Sequence, residues 1–261
     1  MEIKILVAAH KPYPMPEDSI YYPIHVGARG KEPLGFAGDD TGENISARNA
    51  RLCELTAVYW AWKNLEADYI GLAHYRRHFT IHKDKVRGNS PEDRLSLALT
   101  RSELEPILRQ CNLILPVPRN YYIETLESHF VHLPYAHEKD LRLLEQVIGE
   151  LFPEYLSAFR TVMNRKQGHM FNMFVMKREL LQEYCEFLFP VLLEVDRRLD
   201  LTGYSPMEAR AAGYLGEFML DIWLEKNPIP YRELDVLFTE PENLFSKGIT
   251  LVKRKLLGGL G

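Results

Sequence analysis

Asp68-Tyr69-Ile70-Gly71-Leu72-Ala73-His74-Tyr75-Arg76-Arg77-His78-Phe79 is the stretch on which the fold turns. The apolar run from Tyr69 to Ala73 has the length and bounds of a buried strand. It stops abruptly in His74, Tyr75, Arg76, Arg77 and His78. In open α/β sheets ligands sit outside the carboxyl ends of strands, so two arginines and two histidines at that edge make a seat for an anion. Arginine's planar fork pairs with phosphate or carboxylate through two parallel hydrogen bonds. A strand running into a solvated basic turn is the plainer alternative.

On the N-terminal side, Ile3 to Ala9 reads as a second buried strand, ended by His10-Lys11-Pro12-Tyr13-Pro14. Met15 to Ile45 is polar and rich in Gly and Pro, and reads as one long loop of the kind that carries function or is disordered. Leu52, Leu55, Val58, Tyr59, Trp62 and Leu65 then recur at helical spacing and give one apolar face; Trp60 falls off it. Strand, loop, helix, strand is the order of an α/β sheet.

On the C-terminal side, residues 80–105 read as loop plus helix, and Leu113 to Val117 as a strand. Helices are predicted over 138–151 and 153–163, a strand over Met170 to Met176, and a helix from Lys177 to Phe189. Ser205-Pro206-Met207-Glu208 has capping-box spacing with proline at the first helical position. Gly213 and Gly216 read as a break, with helix resuming over Phe218 to Leu224 and stopping at Asn227-Pro228.

At 261 residues the chain has room for one domain with elaborations. A net charge of -4 argues against a general nucleic-acid binder. Cys53, Cys111 and Cys185 form no C-x-x-C pair, so neither a disulfide framework nor a thiolate zinc site is indicated, in keeping with a reducing cytoplasm. The N-terminus lacks the features of a signal peptide, and no apolar run nears the roughly 20 residues that span a bilayer. Lys247 to Leu257 mixes basic and apolar residues and reads either as a frayed terminus or as a contact with an anionic membrane surface.

Several segments, in order, resemble one family: Lys4 to Lys11, Pro23 to Ala28, Asp39 to Ser46, Cys53-Glu54-Leu55-Thr56, Tyr59 to Asn64 and Tyr69 to Arg77. His137 with Asp140-Leu141, Phe171 to Phe174 and Gly213 to Glu217 continue the series. The chain is similar, from Lys4 to about Pro230, to a glycosyltransferase-type family of bacterial capsule and exopolysaccharide clusters, catalogued as a domain of unknown function (DUF4422-like). The resemblance implies a GT-A-like fold, a Rossmann-like α/β/α sandwich over residues 1–230, followed by a C-terminal extension over 231–261. It implies a cytoplasmic enzyme, at or near the inner face of the membrane, that moves a hexose (a galactosyl unit favoured) from a UDP-sugar to a glycan acceptor, lipid-linked by expectation.

Under that resemblance Ala9, His10 and Lys11 lie at the nucleotide, with Asp40 close by, while His137, His169 and Asn172 line the sugar site. GT-A enzymes commonly hold a divalent metal (Mn or Mg) on the diphosphate with Asp-x-Asp, which this chain lacks. His74-Tyr75-Arg76-Arg77 stands at what resembles the equivalent strand end. Arg76 and Arg77 can stabilise charge on a departing diphosphate without a metal; His74, His78 and Asp40 as metal ligands remain the alternative. Glu217 is the candidate base. The row Glu217, Asp221 and Glu225 has the spacing of a solvated helix face, and that reading is accepted for Asp221 and Glu225. The competing functions are a His/Asp metallohydrolase of phosphate esters and a catalytically silent sugar-nucleotide-binding module.

Overall fold

The computed structural model describes residues 1–86 and 90–240. β1 (Ile3–Ala9) is followed by β2 (Tyr21–His25) and β3 (Ala37–Gly38), then by α1 (Asn49–Leu52) and α2 (Leu55–Asn64). β4 (Tyr69–His74) turns at Tyr75-Arg76 into β5 (Arg77–Thr80). The short α3 (Pro91–Leu95) precedes α4 (Arg101–Leu108), whose start carries a Thr100/Glu103 capping box.

β6 (Leu113–Pro116), β7 (Arg119–Asn120) and α5 (Leu126–Val131) lead to the predicted helix pair, α6 (Glu138–Leu151) and α7 (Leu156–Met163). The chain closes with β8 (Gln167–Gly168), β9 (Phe174–Lys177), α8 (Arg178–Arg198), α9 (Ala211–Lys226) and β10 (Arg232–Phe238).

β4 is buried on both faces, which is why its sequence is apolar throughout rather than alternating. Ile70 and Leu72 enter a core shared with α2 and α5 to α9, while Tyr69 and Ala73 enter a second core closed by α4. β1 divides in the same way, with Leu6 and Ala8 on one side and Ile5 and Val7 on the other. β1 and β4 run parallel, with Ala8 opposite His74, so their carboxyl ends share one edge.

The sheet departs from the expected open sandwich. β4 pairs with β9 over Tyr69–Leu72 and with β5 at His74; β5 pairs with β10, β10 with β6, and β6 with β9. These five strands therefore close into a small barrel, and β1, β2 and β3 extend from it through β4. Gly71 makes the closure possible, because a Cβ there would lie 2.8 Å from the Phe174 carbonyl oxygen on β9. β10 belongs to this ring although it lies beyond Pro230, where the extension was placed. The basic tail from Lys247 lies outside the described residues.

Other expectations are corrected. The stretch Met15 to Ile45 holds β2 and β3 rather than a single loop. The predicted strand over Met170 to Met176 begins only at Phe174, because Phe171 and Asn172 have φ of 77° and 54° and cannot extend a ladder. Gly213 and Gly216 sit inside α9 and do not break it; a Cβ on Gly213 would meet Cys53 Sγ at 2.7 Å. Trp60 is buried rather than off the packed face, stacked on Tyr22 at 5.9 Å, with Nε1 donating to Thr41. Among the described residues no helix is long and apolar enough to cross a membrane.

Candidate active-site cleft

Because β1 and β4 end together, His10 emerges beside Tyr75, Arg76 and Arg77, and a cleft of about 1210 Å³ opens at that edge. Lys31, Arg76, Arg77, Arg119 and Arg210 line it, against the carboxylates of Glu54, Glu124 and Glu217. The electrostatics at His10 record this gathering of cations. Burial lowers its pKa, and Lys11, Arg76, Arg210 and Lys31 each lower it further. Tyr75 holds the corner, with His10 edge-on at 5.2 Å, Arg76 5.1 Å from its ring centre and Lys11 at 5.6 Å. Arg76 is half-exposed and also pairs with Glu240 at 2.9 Å.

Arg77 lies 4.5 Å from the ring centre of Phe171 and Arg119 lies 5.8 Å from it. His78 points instead into the core against Tyr21, where burial pulls its pKa down to about 3 and keeps it neutral.

Two of the carboxylates reach the cleft from a helix and from a break between helices. Glu217 sits midway along α9. Glu54 follows Cys53, whose φ of 53° breaks α1 from α2, and the bare Gly213 lets this turn approach α9. The Phe171-Asn172 turn ties both acids to β4. His74 Nε2 donates to the Phe171 carbonyl at 2.6 Å, the Phe171 N–H donates to Glu217 Oε2 at 3.2 Å, and Asn172 Nδ2 donates to Glu54 Oε1 at 2.7 Å. Two consecutive left-handed non-glycine residues cost about 1–3 kcal/mol each and persist where their surroundings hold them.

Burial, and then the charge of Glu54, push the Glu217 carboxyl up to about 7, against the opposing pull of the Phe171 N–H, Arg77 and Arg119. Burial lowers the pKa of His74, which matches its role as a single neutral donor.

The cleft thus brings together His10, His74, Arg76, Arg77 and Glu217. Asn172 joins through Glu54, Ala9 is buried at the end of β1, and Lys11 lies just beyond it. Asp40 does not join them: it is exposed and off the cleft lining. The buried acid is its neighbour Asp39, which accepts from the backbone of Gly27 and Ala28 and from Ser46 and Thr56, and so pins the loop.

His137 caps α6 away from the cleft, stacked on Tyr204 at 4.5 Å and paired with Glu208 at 2.9 Å. His169 lies off the cleft lining, buried with Nδ1 on Asp221 at 2.5 Å and Nε2 on Glu233 at 3.3 Å. Burial opposes its charge, yet these two carboxylates hold its pKa above the ordinary value. Asp221 is consequently buried, not part of a solvated face, while Glu225 pairs with Arg165 near the surface.

Sequence reasoning missed Glu54, Arg119 and Arg210. Only Glu54 carried a signal, in the segment Cys53-Glu54-Leu55-Thr56. Among the described residues no three His, Cys, Asp or Glu side chains converge to hold a metal ion, and His74, His78 and Asp40 are dispersed.

The fold has a counterpart among solved structures. The apo structure of the bifunctional glycosyltransferase WbbM superposes with a TM-score of 0.83 at 29% identity, covering 91% of this chain and 45% of that one. This chain thus spans less than half the length of WbbM. No curated protein matches the sequence. The sequence profile of a domain of unknown function, DUF4422, matches residues 4–228, so the chain belongs to the DUF4422 family.

Proposed function

We propose that this domain is a glycosyltransferase that moves a hexose from a UDP-sugar to a glycan acceptor in polysaccharide biosynthesis. One observation carries the reading: cations from separate parts of the chain converge at the β1/β4 edge beside a carboxylate whose pKa is near neutral. The likeness to a bifunctional glycosyltransferase across 91% of the chain supports it.

In the reaction the acceptor oxygen attacks the sugar's anomeric carbon as the bond from that carbon to the diphosphate oxygen breaks. The bonding pair leaves with UDP, and the acceptor proton passes to Glu217. Arg76 and Arg77 face the charge that grows on the leaving diphosphate, where fixed donors act most strongly in a site shielded from water. Glu217 is poised as a general base because its pKa lies close to working pH. His74 and Asn172 act as positioning residues in this reading, holding Phe171 and Glu54 by hydrogen bonds.

Calorimetric titration tests the donor site. Replacing Arg76 and Arg77 with alanine should weaken UDP binding by about tenfold or more per arginine while uridine binding changes little. Equal losses for UDP and uridine would remove the arginines from the diphosphate.

A further inference from the structure

The cleft has two kinds of wall. The cations stand mainly at the strand ends, whereas the segment after β7 and the face of α9 contribute Tyr121, Tyr135 and Tyr214, with Tyr122 at the rim. Tyr135 and Tyr214 lie 4.8 Å apart with rings inclined at 46°. Tyr121 is stacked on His129 at 3.9 Å, and His129 is held by Glu124 at 2.8 Å. Arg210 lies 5.5 Å from the Tyr214 ring centre.

These tyrosines line the same cleft as the candidate base. Burial raises the pKa of both Tyr121 and Tyr214, Arg119 lowers the first and Arg210 the second, and the charge of Glu217 raises both. Burial raises the Tyr121 phenol to about 12, so at neutral pH it is an uncharged donor.

Building on the glycosyltransferase reading, we infer that Tyr121, Tyr135 and Tyr214 form the acceptor subsite, which takes a pyranose ring against its aromatic faces. A sugar ring offers an apolar C–H face and a rim of hydroxyls. A tyrosine offers the matching apolar ring and polar tip, and small-ligand sites commonly join aromatic walls to a few placed polar groups. The acceptor hydroxyl must reach the base that takes its proton, and the tyrosines line the same cleft as Glu217. Anchored rings suit a weakly held ligand, because little side-chain entropy is lost on binding. Tyr122, 76% exposed, extends the wall to where a longer glycan leaves the cleft.

Saturation-transfer NMR on the full chain tests this with methyl α- and β-hexopyranosides as acceptor probes and UDP as donor probe. The wild type should transfer saturation to the ring C–H protons of at least one glycoside with UDP bound. Tyr121→Ala and Tyr214→Ala should each cut that signal about tenfold while UDP affinity, read by calorimetry, stays within about twofold. Undiminished glycoside signal in both variants would overturn the subsite, as would its absence in UDP-bound wild type. Loss of UDP affinity in a variant with unchanged circular dichroism would assign the wall to the donor's base and equally overturn it. Failure of UDP to bind the wild type would reject the donor site itself, separately from the acceptor result.

Discussion

Glu217 shows how one side chain acquires a working pKa from its surroundings. Burial and the neighbouring Glu54 raise it, while the Phe171 N–H and two arginines keep it from rising further. Glu217→Gln should lower transfer by about a hundredfold or more with UDP affinity nearly intact; steady-state rates and calorimetry read the two quantities. In the wild type, kcat/KM should climb through an inflection near pH 7, because the base works only when ionised.

Stability moves the other way with pH. A carboxyl raised in the folded state stabilises it below the unfolded value, and that contribution is lost as pH rises through the folded one. Glu217→Gln should therefore gain on the order of 1 kcal/mol over wild type at pH 8, measured by urea unfolding, with no gain at pH 4. A flat kcat/KM profile from pH 5 to 9 would remove Glu217 as base. At this scale the sequence was legible where one segment supplied several groups. His74, Arg76 and Arg77 come from a single strand end, whereas Arg119 and Arg210 come from segments whose surroundings are set only by tertiary contact.

At the level of elements, the strands and helices with unbroken patterns were readable. β1, β4 and α6 match their apolar runs and periodicity, since burial of one face or both fixes the pattern. β2, β3, β5 and β10 were missed. They are short or polar at their ends, and their pairing is decided by strands far away in sequence. α9 was misread because glycines that look like breakers exist there for close approach. The same physics governs Gly71, where a Cβ would crowd the β9 backbone at 2.8 Å and Val175 Cγ2 at 2.9 Å. Gly71→Ala should cost about 1–3 kcal/mol, visible as a lower urea midpoint with unchanged slope. An unchanged midpoint would mean that β9 can move away freely.

For the molecule as a whole, the α/β class followed from element order, but the closed ring did not, because closure depends on β4 serving two partners at once. β10 joins β5 through Asp235–Phe238 and β6 through Arg232–Leu234, so it spans the gap that an open sheet would leave. A chain ended at Pro230 would expose unpaired backbone on both neighbours. It should lose its cooperative unfolding transition, followed by tryptophan fluorescence in urea. A sharp transition at the full-length midpoint would show that the ring is dispensable.

The closed ring also divides labour between rigidity and change. Its strands fix the floor on which His74, Arg77 and the Phe171 turn are set, so that floor cannot widen to admit a bulkier guest. Reshaping the cleft for another guest should therefore leave the hoop of strands untouched and exchange Tyr121, Tyr122 and Tyr135, which stand outside it, while Leu126 and Phe130 between them are kept as core.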